Sequence, residues 1–184
     1  EDVLIRSSNI GSLMIARQIG EIKLKNFLEK IGLLKVVDFE LDEIGQPHTL
    51  KWEKCKLETV SFGHGITTTP LQAAAAYASI VNGGYIIQPT LMLVKNSNIE
   101  TRTSIISNKT SNKINKMLRK VVAEKKGTAS NANIFGYKVG GKTGTAKNYV
   151  NSQKNINTFI SIFPSNKPKY VLLVILDDPK GAPH

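Results

Sequence analysis

Tyr137-Lys138-Val139-Gly140-Gly141-Lys142-Thr143-Gly144-Thr145-Ala146 is the stretch on which the fold turns. It is rich in glycine yet reads as extended, because its threonines favour a pleated backbone and its glycines admit close approach by a neighbour. Two further strands follow, over 158–163 and 170–176. The last is apolar at nearly every position, which predicts a strand covered on both faces. The links, 147–157 and 164–169, are short and polar. Three consecutive strands joined in this way make an antiparallel meander.

Helices precede the meander. Ser7, Ser8 and Asn9 are all helix-capping residue types, and 10–19 is apolar on most sides, predicting a buried helix ended by Gly20. Leu24, Phe27, Leu28 and Ile31 recur at helical spacing before Gly32, so a second, amphipathic helix is expected there. Thr69-Pro70-Leu71-Gln72 is a strong helix start. Thr69 can cap, Pro70 suits the first helical position, and Gln72 completes a capping box. The alanines that follow have high helix propensity, and Asn82-Gly83-Gly84 stops the run. An extended segment is expected over 85–94, at a sheet edge because of Pro89. A helix is expected over 110–124, with Ile114, Met117, Leu118, Val121 and Val122 as its apolar stripe and Gly127 beyond it as a cap. Residues 33–62 carry no clear periodicity, and Gly63-His64-Gly65 reads as a loop. Helices packed on an antiparallel sheet define the α+β class.

Composition bounds the rest. The 184 residues can bury one sizeable core, and 41% hydrophobic with 21% charged residues is ordinary for a globular domain. The longest apolar run, 170–176, is too short to span a bilayer, and Glu1-Asp2 opens no signal peptide. The net charge of +11 suits an anionic partner, whether nucleic acid, anionic lipid or a cell-wall polymer. The lysines are scattered and no nucleic-acid motif accompanies them; a bias toward Lys, Asn and Ile accounts for the charge as well. Cys55 is the only cysteine, so no internal disulfide forms.

Two short motifs carry chemistry. Lys142-Thr143-Gly144-Thr145 lies on the first strand, where alternation puts Thr143 and Thr145 on one face and Lys142 and Gly144 on the other. Paired hydroxyls can bind a carboxylate, and Lys142 supplies positive potential that favours removal of a nearby proton. Gly144 lets a second backbone approach, and an exposed N–H on such a strand can stabilise an oxyanion. Ser7-Ser8-Asn9 stands at a helix start, where a hydroxyl can relay a proton and an amide can hold a peptide bond. Lys142 and Ser7 are expected to meet across a groove. Each motif alone is a weak signal, and no serine of the chain has lysine three positions on.

With Ser61-Phe62-Gly63-His64-Gly65, Val81-Asn82-Gly83-Gly84, Gly127-Thr128-Ala129 and Asp177-Asp178-Pro179-Lys180-Gly181 added, the chain resembles the C-terminal part of a class B penicillin-binding protein, and within that family the division-type (septal) enzyme. The resemblance implies a transpeptidase fold of the penicillin-binding protein and serine β-lactamase type, present in part over residues 1–184. The Ser-x-x-Lys nucleophile helix, the first strands, a closing helix, the pedestal region and the membrane anchor are expected outside these residues. It also implies a D,D-transpeptidase that cross-links peptidoglycan stem peptides ending in D-Ala-D-Ala and binds β-lactams, anchored in the bacterial inner membrane with its catalytic domain in the periplasm. Division-complex proteins are the implied partners, without nucleic acid.

By the same resemblance Ser7 is the proton-relay serine, Asn9 orients the bound peptide or acyl group, and Lys142 is the cationic partner of Ser7. Thr143 and Thr145 hold the terminal carboxylate, with the Thr145 N–H as one oxyanion donor. His64 shapes its loop. No cofactor is implied, and with His48 and His184 isolated no metal site is expected. Lacking the nucleophile, the segment alone is expected to be inactive, and a sheet short of strands is expected to be poorly soluble. A D,D-carboxypeptidase or β-lactamase-like hydrolase, a non-catalytic scaffold fragment and a basic nucleic-acid-binding domain are the alternatives.

Overall fold

A computed structural model describes residues 1–47, 52, 56–93, 103–147, 151 and 153–180. The chain divides into two compact units, one formed by Glu1–Ser7 with Lys113–His184 and the other by Ser8–Asn112. The sequence's α+β class holds, with six α-helices and three strands among the described residues.

The first unit carries the sheet. Strands β1 (Gly140–Lys147), β2 (Asn155–Phe163) and β3 (Tyr170–Asp177) form the antiparallel meander in the order β1-β2-β3. The register pairs Thr143 with Phe159 and Phe159 with Val174. A short helix α1 (Asp2–Ile5), not anticipated from sequence, opens the unit, and the long helix α6 (Asn108–Ala123) ends in it. Ile5, Val121, Val122, Ala129 and Val139 form its core, with Phe159 packed against them. Val121 and Val122 are fully buried, as the helical stripe predicted, and each such side chain contributes roughly 1.5–3 kcal/mol by leaving water. Surface ion pairs join α1 to the end of α6: Lys120 with Glu1, and Lys126 with Asp2 at 2.6 Å. Each carboxylate is held below its ordinary pKa by the hydrogen bond from its lysine.

Gly127 serves a different purpose from the expected cap. A Cβ there would stand 2.0 Å from the Val121 carbonyl oxygen, so the chain can fold back onto α6 only without a side chain. Strand β3 also departs from expectation. Leu172, Val174, Ile175 and Leu176 are exposed, because the core draws on Val139 and Phe159 and no described element covers β3.

The second unit is helical. Helix α2 (Asn9–Ile19) is capped by Ser8, whose Oγ accepts from the Gly11 N–H at 3.1 Å. It is not the buried helix its composition suggests: Ile10, Met14, Ile15 and Ile19 are exposed and only Ala16 is buried. It packs on α3 (Glu21–Lys30) and α4 (Lys56–Val60) and leaves its remaining faces open among the described residues. Helix α4 emerges from the stretch that carried no sequence signal.

Helix α5 (Pro70–Val81) has the predicted capping box. Thr69 Oγ1 accepts from the Gln72 N–H at 3.2 Å, and Gln72 Oε1 accepts from the Thr69 N–H at 2.8 Å. Buried Gln72 also donates from its amide nitrogen to the Lys35 carbonyl and to the Gly32 carbonyl, the latter at 3.4 Å, which uses up its amide. Ile31, Ala76 and Ile105 form this unit's core. Among the described residues the extended segment expected from Tyr85 makes a single bridge, Tyr85 with Ser104. Beside that bridge the Ile86 N–H donates to the Thr103 carbonyl at 3.0 Å, and beyond it side chains take over: Ile87 N–H donates to Ser79 Oγ at 2.8 Å and Leu91 N–H to Glu40 at 3.2 Å. Val94, its predicted end, lies outside the described residues.

Two glycines separate steric from conformational demand. Gly127→Ala is expected to cost about 2 kcal/mol or more, because backbone must move. Gly63→Ala meets no atom within 4 Å but sits at φ +87°, so a cost of about 1–2 kcal/mol is expected from the left-handed backbone alone. Thermal unfolding of the two variants of the purified protein checks the order.

Candidate active site

Ser7 is where α1 ends and the chain turns toward α2. Its φ is +54°, the left-handed region that glycine usually fills at a helix end. For a serine this costs about 1–2 kcal/mol. Because Ser8 takes the capping role, the Ser7 hydroxyl is free for another partner, and that partner is Lys142. The Lys142 ammonium donates to Ser7 Oγ at 2.8 Å, joining residues 135 positions apart. It also donates to the Thr143 carbonyl at 2.8 Å. Lys142 is half-buried, and loss of hydration holds its pKa below the ordinary lysine value.

Strand β1 lies at an edge of the described sheet. The Gly144 carbonyl faces β2, where Thr158 Oγ1 donates to it at 3.3 Å. Backbone groups alternate sides along a strand, so Thr143 and Thr145 turn theirs toward the open edge. A Cβ on Gly144 would stand 2.5 Å from Thr158 Oγ1, which explains the glycine between the two threonines. Thr143 is part-buried, with its hydroxyl 3.0 Å from Thr128 Oγ1, whereas Thr145 is exposed.

The structure thus brings together Ser7, Lys142 and Thr143, with Gly144 and Thr145 next along the same strand. Asn9 belongs to the other unit, as the exposed first residue of α2. His64 is exposed in the turn after α4 and stacks on Phe62 with ring centroids 6.5 Å apart. Cys55, His48 and His184 lie outside the described residues. Among the described residues no group of three or more His, Cys, Asp or Glu could hold a metal ion, and no helix is long and apolar enough to cross a membrane. Sequence reasoning missed two features of the site: the left-handed backbone of Ser7 and the contact of Thr128 with Thr143. The first had no signal, since serine is not a usual residue at such a turn. The second had Gly127-Thr128-Ala129 as a signal, but no chemistry followed from it.

The chain belongs to the penicillin-binding protein transpeptidase domain family, whose pattern it matches over residues 1–184. It is 33% identical to the probable peptidoglycan D,D-transpeptidase FtsI of Caulobacter vibrioides, over 98% of this chain and 33% of that protein. It is 32% identical to stage V sporulation protein D of Bacillus subtilis, over 98% of this chain and 30% of that protein. Among solved structures it is similar to the transpeptidase domain of Burkholderia pseudomallei penicillin-binding protein 3, with a TM-score of 0.86 and 29% identity, over 96% of this chain and 55% of that one. It is also similar to Mycobacterium tuberculosis penicillin-binding protein 3 in complex with aztreonam, with a TM-score of 0.83 and 27% identity, over 96% of this chain and 44% of that one. The chain spans about a third of the length of these two curated relatives.

Two outcomes are expected from this geometry. Ser7→Gly is expected to be more stable than Ser7→Ala by about 1 kcal/mol, since both lack the hydroxyl and only glycine is at ease at this φ; urea unfolding of the pair measures the difference. Lys142 is expected to titrate below the ordinary lysine value. The unfolded chain binds this proton more tightly, so the charged form costs stability at neutral pH, and the cost fades as pH rises from the folded pKa toward the unfolded one. NMR titration of the Lys142 side chain reads the pKa, and the stability gap to Lys142→Met against pH reads the linkage.

Proposed function

We propose that residues 1–184 are the C-terminal portion of the transpeptidase domain of a peptidoglycan D,D-transpeptidase that works through an acyl-serine intermediate. The observation that carries this reading is the 2.8 Å bond from Lys142 to Ser7, in a chain that matches the family from end to end. In this reading the nucleophilic serine comes from a part of the protein outside these residues. Its Oγ attacks the carbonyl carbon of the penultimate D-Ala, and its proton passes by way of Ser7 to the departing amine of the terminal D-Ala. The amine of a neighbouring stem peptide then attacks the ester, and the serine recovers its proton as the cross-link forms.

Lys142 lowers the cost of moving that proton by holding positive charge beside Ser7. The hydroxyls of Thr143 and Thr145 bind the terminal carboxylate, of D-Ala-D-Ala or of a β-lactam. The Thr145 N–H, on the open edge of β1, stabilises the oxyanion. The amide of Asn9 orients the bound peptide. Aztreonam in the tuberculosis relative supports the β-lactam part of the proposal.

The uncovered apolar surface of β3 supports a larger sheet in the whole protein, completed by strands from outside the segment. Asn9, the Phe62-Gly63-His64-Gly65 loop and the likeness to FtsI support a role in cell division, with division-complex partners, an inner-membrane anchor and a periplasmic catalytic domain.

Fluorescent penicillin is expected to label the longest natural chain containing this segment and not the segment itself. Lys142→Ala and Ser7→Ala in the long chain are expected to reduce labelling by about a hundredfold or more. Absence of label on the long chain, or label on the isolated segment, overturns the reading.

A further inference from the structure

Three observations meet at the turn that follows α6. Gly127 is buried, with no room for a side chain against the Val121 carbonyl. Ala129 is buried in the core, and its N–H donates to the same carbonyl at 3.3 Å. Between them, the Thr128 N–H donates to the Ile5 carbonyl at 3.3 Å, two residues before Ser7. Thr128 is therefore held by its neighbours on both sides and by its own backbone. Its side chain is spent on one contact, the 3.0 Å hydroxyl pair with Thr143.

We propose that Thr128 is a positioning residue for carboxylate recognition: it fixes the Thr143 hydroxyl and completes a hydroxyl chain from Thr128 through Thr143 to the bound carboxylate. This rests on the reading of Thr143 as a carboxylate donor. A hydroxyl has one proton to give and two lone pairs to receive with. Without ligand, Thr143 directs its proton to Thr128. When a carboxylate arrives, Thr143 turns that proton to the anion and accepts from Thr128 in exchange. No proton is transferred between oxygens; the bond between the two hydroxyls is kept and its direction reverses. Removing the Thr128 hydroxyl leaves Thr143 without its donor in the bound state and free to rotate in the unbound one. The backbone bond from Thr128 to Ile5 does not depend on the side chain, so the Ser7 end of the site is unaffected.

The test uses the longest natural chain, with penicillin G and its methyl ester as probes. Thr128→Val keeps the shape and removes the hydroxyl; Thr128→Ser restores it. The expected result is a fall of about five- to tenfold in the second-order acylation rate for the acid with Thr128→Val, the loss of one hydrogen bond to a charged group's donor. The fall is expected in the binding term and not in the limiting rate, with serine returning it to within about twofold and the ester unaffected. Thr128→Ala is expected to give the same pattern, and it decides the matter if valine disturbs the fold. A loss shared by the ester, or one that serine fails to rescue, marks a packing role and overturns the proposal. Normal acylation by Thr128→Val alongside impaired Thr143→Ala overturns it as well. Unimpaired Thr143→Ala strikes instead at the carboxylate reading on which it rests.

Discussion

An ammonium group withdrawn from water must find oxygen partners, and this requirement organises the site. Half-burial of Lys142 makes its charge costly, and the charge is retained through two acceptors, Ser7 Oγ and the Thr143 carbonyl. One of these lies on its own strand. The other arrives from the opposite end of the sequence, so the lysine is satisfied only where the Ser7 turn lies beside β1. Ile5 packs with Val121, Val122 and Val139, which brings the Ser7 turn to β1. The site is therefore coupled to the hydrophobic core through polar contacts, Lys142 with Ser7 and Thr143 with Thr128, and disturbance of either is felt by the other.

The same economy governs two glycines of the first unit. Gly127 lets the chain double back on α6 and Gly144 lets β1 lie close to Thr158. Neither is needed for a left-handed backbone, since the demand at both is for space. The one left-handed position at the site is given to a residue that pays for it in strain, which is the signature expected where a side chain's chemistry outweighs backbone comfort.

Much of this was legible in the sequence, for identifiable reasons. The meander, the capping box at Thr69 and Gln72, and the buried stripe of α6 follow from local rules: alternation, capping chemistry and helical periodicity. The joining of Ser7 to Lys142 could be expected from the two motifs read together, although neither motif encodes a distance. Other features were illegible because they depend on what lies beside an element and not on what lies within it. Leu172 to Leu176 and Ile10 to Ile19 are as apolar as buried segments, yet burial needs a covering partner: among the described residues no element lies over β3, and α3 and α4 cover only part of α2. Residues after Tyr85 look extended, but after Ile86 has paired with Thr103 the N–H groups of Ile87 and Leu91 turn to the side chains of Ser79 and Glu40. Which of Ser7, Ser8 and Asn9 caps α2 was undecidable from residue type alone, because all three can.

The backbone of Ser7 also narrows which hydroxyl amino acid can serve there. Threonine offers the same proton and the same oxygen, and elsewhere in proteins the two exchange freely. At a φ of +54° its branched Cβ would crowd the adjacent carbonyl, and the left-handed region is least tolerant of such side chains. Glycine and asparagine suit the turn and lack the hydroxyl; threonine has the hydroxyl and does not suit the turn. In the relay role proposed for Ser7, two independent demands, one of chemistry and one of chain geometry, intersect on a single member of the amino-acid alphabet.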